Sequence, residues 1–97
     1  MKRLELSAEA ELDMFEAALR YEGEREGLGF RFEVEVNRVF ERIVRNPFQF
    51  GELDTGTRRA LVHHFRYGVF FTVEAEVVMV FGILHLHRDP CVWQDRR

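Results

Sequence analysis

Very little in this sequence offers a covalent or metal-based route to stability or function. Cys91 is the only cysteine, so no intramolecular disulfide can form. The expected compartment is the cytoplasm, where a lone thiol stays reduced and inert. With two prolines, no Pro/Ser-rich stretch, no repeat and no low-complexity tract, nothing marks a linker, and the 97 residues read as one domain, 1–97. No apolar run approaches the ~20 residues of a membrane span, and the start lacks the charged-then-apolar layout of a signal peptide, so no membrane partner is expected. Lysine is nearly missing as well: Lys2 is the only one, and every other basic residue is arginine. The net charge of −3 and pI near 5.8 lack the footprint of a domain that binds nucleic acid chiefly through phosphates. Four histidines are present, but His63 and His64 are adjacent on an expected strand and point to opposite faces, and no Cys or carboxylate spacing completes a ligand set. Neither a metal nor a cofactor is expected.

What is present is an uneven charge distribution and a dense apolar second half. Residues 1–41 sum to −5 and residues 42–97 to +2, and all four histidines lie in the latter. Arginine grips phosphate and carboxylate with a planar fork, although composition bias explains an Arg-for-Lys preference equally well. From Leu61 to Trp93 two apolar runs, Val69–Val73 and Val77–Leu86, are separated only by Glu74-Ala75-Glu76, which suits a tight antiparallel reversal. A preceding strand is expected at Arg59–Phe65, turning back through Arg66-Tyr67-Gly68, where the glycine would accept an αL or bulge conformation. The meander ends at His85-Leu86-His87-Arg88-Asp89-Pro90, where charge rises and proline blocks pairing.

Ahead of the meander, Leu4 and Leu6 alternate in a short edge strand. Ser7 is a plausible N-cap, with Glu9, Glu11 and Asp13 in the first turns. Ala8, Leu12, Phe15 and Leu19 then form an apolar stripe expected to face the core, broadened on one side by Met14, Ala17 or Ala18, and Tyr21, and ending near Gly23. Residues 30–36 alternate like a strand, but Phe32, Val36, Val39 and Ile43 at i, i+4, i+7 and i+11 favour a helix from Leu28 to Arg45, stopped by Asn46-Pro47. Phe48 and Phe50 are expected against the helix ends, and Gly51–Gly56 reads as a loop. These elements define an α+β fold. A short N-terminal strand and an antiparallel helical hairpin pack on a small, mostly antiparallel sheet in the order β-α-α-β-β-β.

The order of elements, with Gly27-Leu28-Gly29 and Phe32, Ile43 with Asn46-Pro47, Arg58-Arg59-Ala60-Leu61, Phe65-Arg66-Tyr67, Val69-Phe70-Phe71, His85, Arg88-Asp89-Pro90 and Trp93, resembles the RelE/ParE superfamily of type II toxins, in its ParE-like branch. The resemblance covers nearly the whole chain. It departs from the ParE pattern at Arg66, where Pro is usual, and at Cys91-Val92. It implies a growth-inhibiting, plasmid-stabilising toxin neutralised by a cognate antitoxin and directed at DNA gyrase. The RelE-like alternative is a ribosome-dependent mRNA endonuclease, and a third possibility is an inactive binding module.

The residues themselves divide between these readings. Metal-free RNA cleavage needs a base, a phosphate-holding cation and an acid. Candidates are His85 and His87, placed on one face of a strand, with Arg88, Arg59 or Arg66 as cation and Tyr67 as acid. The plainer reading makes the histidine pair a solvated strand end, and no catalytic residue is favoured. If the mechanism is binding, Arg88, Arg96 and Arg97 are the target-facing candidates, while Trp93 and Asp89 are expected to lock the tail onto the core. The first helix carries more apolar surface than a sheet can cover, so Met14, Tyr21, Phe30 and Val34 are candidates for antitoxin contact. A symmetric homodimer through the same surface competes.

Overall fold

The computed structural model describes residues 2–96. Strand β1 (Arg3–Leu6) leads into helix α1 (Ala8–Glu24), whose N-cap Ser7 accepts a hydrogen bond from the Ala10 amide at 3.1 Å. A tight connection reverses the chain at Gly27, which adopts φ 87°, a left-handed conformation that favours glycine. Helix α2 (Leu28–Arg45) follows and stops where Asn46 becomes extended ahead of Pro47. The i, i+4, i+7, i+11 pattern decides its conformation over the local alternation, since Phe32, Val36, Val39 and Ile43 are all buried. Where the helices cross, a Cβ at Gly29 would lie 2.5 Å from the Ala18 carbonyl oxygen, so glycine sets the close approach.

After a 3-10 turn (Pro47–Gln49) come β2 (Glu52–Asp54), β3 (Thr57–Leu61), β4 (Tyr67–Val73), β5 (Val77–His85) and a short helix α3 (Cys91–Gln94). The sheet order is β1-β5-β4-β3-β2. The β1–β5 pair is parallel because the helical hairpin is the crossover that joins the meander to it, and the other pairs are antiparallel. This is the α+β fold expected from the sequence, with one more strand: Glu52–Asp54, expected as loop, pairs with β3 as an edge.

Two boundaries in the meander also differ from expectation. The strand expected at Arg59–Phe65 is Thr57–Leu61, and the reversal runs from Val62 to Arg66 rather than through Arg66-Tyr67-Gly68. Val62 donates to the Tyr67 carbonyl at 2.9 Å, closing a loop in which His64, at φ 71°, takes the left-handed position instead of a glycine. Tyr67 is therefore a buried strand residue. The last strand ends at His85, one residue before Leu86.

A bulge sits between Phe70 and Phe71, which pair with Gly82 and Val80 respectively and leave Phe81 as the extra residue. It reverses the inward parity of β5. Val78, Val80 and Ile83 join the helix-side core, while Phe81 and Leu84 point to the opposite face, with Phe70 and Trp93. Asp13 of α1 accepts a hydrogen bond from the Ile83 amide at 3.0 Å, pinning β5 just past the bulge.

The α1 stripe is inverted relative to the sequence reading. Ala10 and Ala17 are buried, Met14 and Tyr21 pack beside them, and Leu12, Phe15 and Leu19 face outward. The cause is space: α1 packs against both α2 and β5, and the positions facing them are taken by the small residues Ala10 and Ala17. Phe48, expected against the helix ends, is exposed, with the Arg58 guanidinium 5.1 Å from its ring centroid, whereas Phe50 packs on Phe71.

Candidate functional site

Two surfaces hold the residues that could act on another molecule. The first is the outer face of the helical hairpin. Leu12, Phe15 and Leu19 from α1 and Phe30 from α2 are 55–69% exposed. Phe15, Leu19 and Phe30 line a shallow groove over Gly29, whose rim carries Glu22 and Glu33. A second groove further along α2 is lined by Phe40 and Val44 between Glu41 and Arg45. Of the residues expected to meet a partner, Phe30 lies in the exposed stripe and Val34 is half-buried, but Met14 and Tyr21 pack against the core. Leu12, Phe15 and Leu19 are the residues of α1 that are exposed instead. The signal that could have found them was the mismatch between two stripes on one helix, one large and one small, with a crossing glycine to say which had to lie inside.

The second surface is the corner where β5 ends. Tyr67 and His85 are paired across β4 and β5, and their rings meet edge-on with centroids 5.3 Å apart. The Arg20 guanidinium donates to the Tyr67 hydroxyl, and Tyr67 is only 3% exposed. His87 is not on the strand but in the turn after it. Its ring lies 5.1 Å from that of His85, and its backbone amide donates to His85 Nδ1 at 3.1 Å. That bond fixes the tautomer of neutral His85: Nδ1 accepts, and Nε2 carries the proton. Burial, then His87, Arg20 and Arg66, hold the His85 pKa below the ordinary histidine value, so the neutral form predominates at pH 7.

The remaining predicted residues scatter. Arg66 shares a cavity with His85, and Arg88 lines a small cleft with His85, Asp13 and Glu16. Arg59 is opposite Phe70, and its stem lies over Gly68 on the face away from the helices, so it does not join them. Arg96, expected in a target-facing tail, is turned inward instead. It forms a two-pronged ion pair with Asp13 at 2.5 and 3.2 Å and donates to the Phe81 carbonyl at 3.2 Å. Arg97 lies outside the described residues. Trp93 stacks on Phe70 at 5.5 Å, the lock expected of it, whereas Asp89 pairs with no arginine among the described residues and caps the backbone of Cys91 at 2.9 Å. The four histidines do not converge: His63 and His64 sit ring to ring in the β3–β4 loop, and no group of three or more potential metal ligands occurs among the described residues.

Chemically, the corner is better equipped to donate hydrogen bonds than to remove a proton. The lone pair that a neutral imidazole would use as a base is occupied by the His87 amide, and the tyrosine that would serve as acid is buried against an arginine. No helix among the described residues is long and apolar enough to cross a membrane.

No family model matches the chain, and no curated protein matches it. A solved structure described as a chromosomal ParDE TA system from P. aeruginosa is similar in fold, with a TM-score of 0.78 over 88% of this chain and 96% of that one, at 12% sequence identity. At that identity the likeness is one of architecture: the helical hairpin and the antiparallel meander with its added parallel strand are the fold of a chain in a ParDE system.

Proposed function

We propose that this protein is the toxin of a type II toxin–antitoxin pair, ParE-like in mechanism, acting on DNA gyrase by binding and silenced by an antitoxin laid along its helical hairpin. The observation that carries this reading is the outward stripe of Leu12, Phe15, Leu19 and Phe30, a row of large apolar side chains that neither the sheet nor the partner helix covers. A helix-in-groove partner would bury it, and the fold shared with a chain of a ParDE system makes an antitoxin the natural occupant. The stripe would serve a homodimer too, and sedimentation of the protein with and without antitoxin separates the two.

Action by binding rather than cleavage is supported by the state of His85 and Tyr67: the Nδ1 lone pair of His85 is taken by the His87 amide, and the Tyr67 hydroxyl is buried against Arg20. The endonuclease reading is favoured by one observation, that Tyr67, His85, His87 and Arg88 gather at one corner. A gyrase supercoiling assay run beside a ribosome-programmed mRNA cleavage assay distinguishes them. Inhibited supercoiling with intact mRNA is the expected result, and the His85→Gln, His87→Gln double variant should inhibit equally. Cleaved mRNA, lost in that variant while its melting temperature is unchanged, would replace the binding mechanism with a catalytic one.

A further inference from the structure

Between the tip of the helical hairpin and the end of the sheet lies an open cavity of about 410 Å³ that borders the His85 corner and extends from it to the hairpin tip. We infer that this cavity is a binding site for a phosphomonoester, held by Arg25, Arg31 and Arg66. The three arginines come from three separate elements. Arg25 is the C-cap of α1, Arg31 lies on the first turn of α2, and Arg66 ends the β3–β4 loop. The fold alone brings them to one cavity, to which His64 and His85 add imidazoles.

The charge of the site is unbalanced. No carboxylate lines it, and none of the three arginines forms an ion pair among the described residues. The acid closest in sequence to the hairpin tip that makes a defined bond is Glu22, and it is committed elsewhere, accepting from the Gly27 and Gly29 amides at 2.9 and 3.0 Å. Glu24 and Glu26, which flank Arg25 in the chain, are the counterweights, and Glu24 is near enough to Tyr21 to help raise its pKa behind the larger effects of burial and Tyr67. Unpaired guanidinium groups converging on a recess are the arrangement that recognises a multiply charged oxyanion. His85 fits the same ligand: with Nδ1 occupied by the His87 amide, it presents an Nε2–H donor and no competing lone pair.

Three features narrow the ligand further. The cavity volume falls within the range of about 300–1,000 Å³ typical of small-molecule sites, more than a bare phosphate needs. Part of its wall is aromatic, formed by Tyr21 and Phe65 with ring centroids 4.9 Å apart, on which a flat group attached to the phosphate can lie. The whole chain carries a net charge of −3, and the hairpin's outer rim is acidic, which disfavours a polyanion tracked over many phosphates and favours one terminal group bearing nearly two charges. A nucleoside monophosphate and the phosphorylated end of a nucleic-acid strand both present that group. The inference does not depend on the toxin reading.

The test is a titration of the full chain, followed by amide chemical shifts, with inorganic phosphate, adenosine monophosphate, and one oligonucleotide bearing either a 5′-phosphate or a 5′-hydroxyl. Saturable binding of the monophosphate, with shifts at Arg31, Phe65, Arg66 and His85, is expected. Arg31→Gln and Arg66→Gln should each weaken it about tenfold or more, while leaving the melting temperature unchanged because both side chains are exposed. A phosphorylated oligonucleotide binding much more tightly than the monophosphate would identify the strand end as the source, and equal affinities the free nucleotide. Absence of saturable binding by any phosphate ester, indifference to the two substitutions, or equal binding of the phosphorylated and hydroxyl-ended oligonucleotides would overturn the inference.

Discussion

At the scale of single residues, Asp13 does more than its position in a helix suggests. Its carboxylate holds both the Ile83 amide, freed next to the bulge, and the Arg96 guanidinium, and the two ion-pair side chains are only 11% and 17% exposed. Removing the acid strands a largely buried positive charge and an amide at once. Asp13→Ala should therefore cost about 3 kcal/mol, measured as a loss of urea midpoint. Because much of that cost is the stranded charge, adding Arg96→Met should recover part of it, whereas two independent residues would give additive losses. None of this was legible in the chain. Asp13 looked like a dipole-complementing acid and Arg96 like a solvated tail, since 83 positions separate them and arginine near a terminus is ordinarily exposed.

At the scale of elements, the α1–α2 hairpin separates what holds the fold from what is left exposed. Its inner contact is made by small residues, and its outer stripe by large ones. A pair of substitutions tests the division. Gly29→Ala inserts a methyl group against the Ala18 carbonyl, where neither backbone can yield, and should cost about 1–3 kcal/mol even though alanine is the better helix former. Phe15→Glu with Leu19→Glu changes far more volume and polarity, but on a face that is more than half exposed, and should leave stability within about 0.5 kcal/mol. If the proposed function holds, calorimetry with the antitoxin it calls for should invert the order: the double variant should lose measurable binding, and the glycine variant, where folded, should keep it. A large loss of stability in the glutamate variant would mean that the stripe belongs to the core.

Most of the helical architecture could be read beforehand because α2 buries one face in an uninterrupted period, Phe32 to Ile43, and because Ser7 and Asn46-Pro47 mark ends by local chemistry. The orientation of α1 could not. Hydrophobicity ranks leucine and phenylalanine above alanine, so a stripe of Leu12, Phe15 and Leu19 outscores Ala10 and Ala17 until the closeness of α2 is known. The β3–β4 reversal was missed for a related reason: Gly68 advertised a turn, but the left-handed position fell to His64, which carries no such signal. The phosphate cavity was invisible in sequence for the same cause as the Asp13–Arg96 pair, since its arginines converge only once the hairpin tip meets the sheet.

At the scale of the whole molecule, the sheet has two covered faces of unequal strength. The helices close one with a broad core. The other is closed mainly by the short C-terminal helix, through Trp93 on Phe70 with Phe81 and Leu84 beneath, and through the inward turn of Arg96. The bulge couples the two. It delivers Phe81 to the thin face and Ile83 to the thick one, and Asp13 bridges from helix α1 to the amide beside it. Loss of the small cluster should consequently be felt across the fold. Trp93→Ala is expected to cost about 3–4 kcal/mol, a large share of the stability of a 97-residue domain, and to do so in one cooperative transition. Hydrogen exchange would register it as faster opening of β5 and β4 together. If instead only the amides of residues 90–96 exchanged faster while the strands kept their protection, the C-terminal helix would be an appendage that docks on a finished fold, and the target-facing tail expected from the sequence would again be available to move.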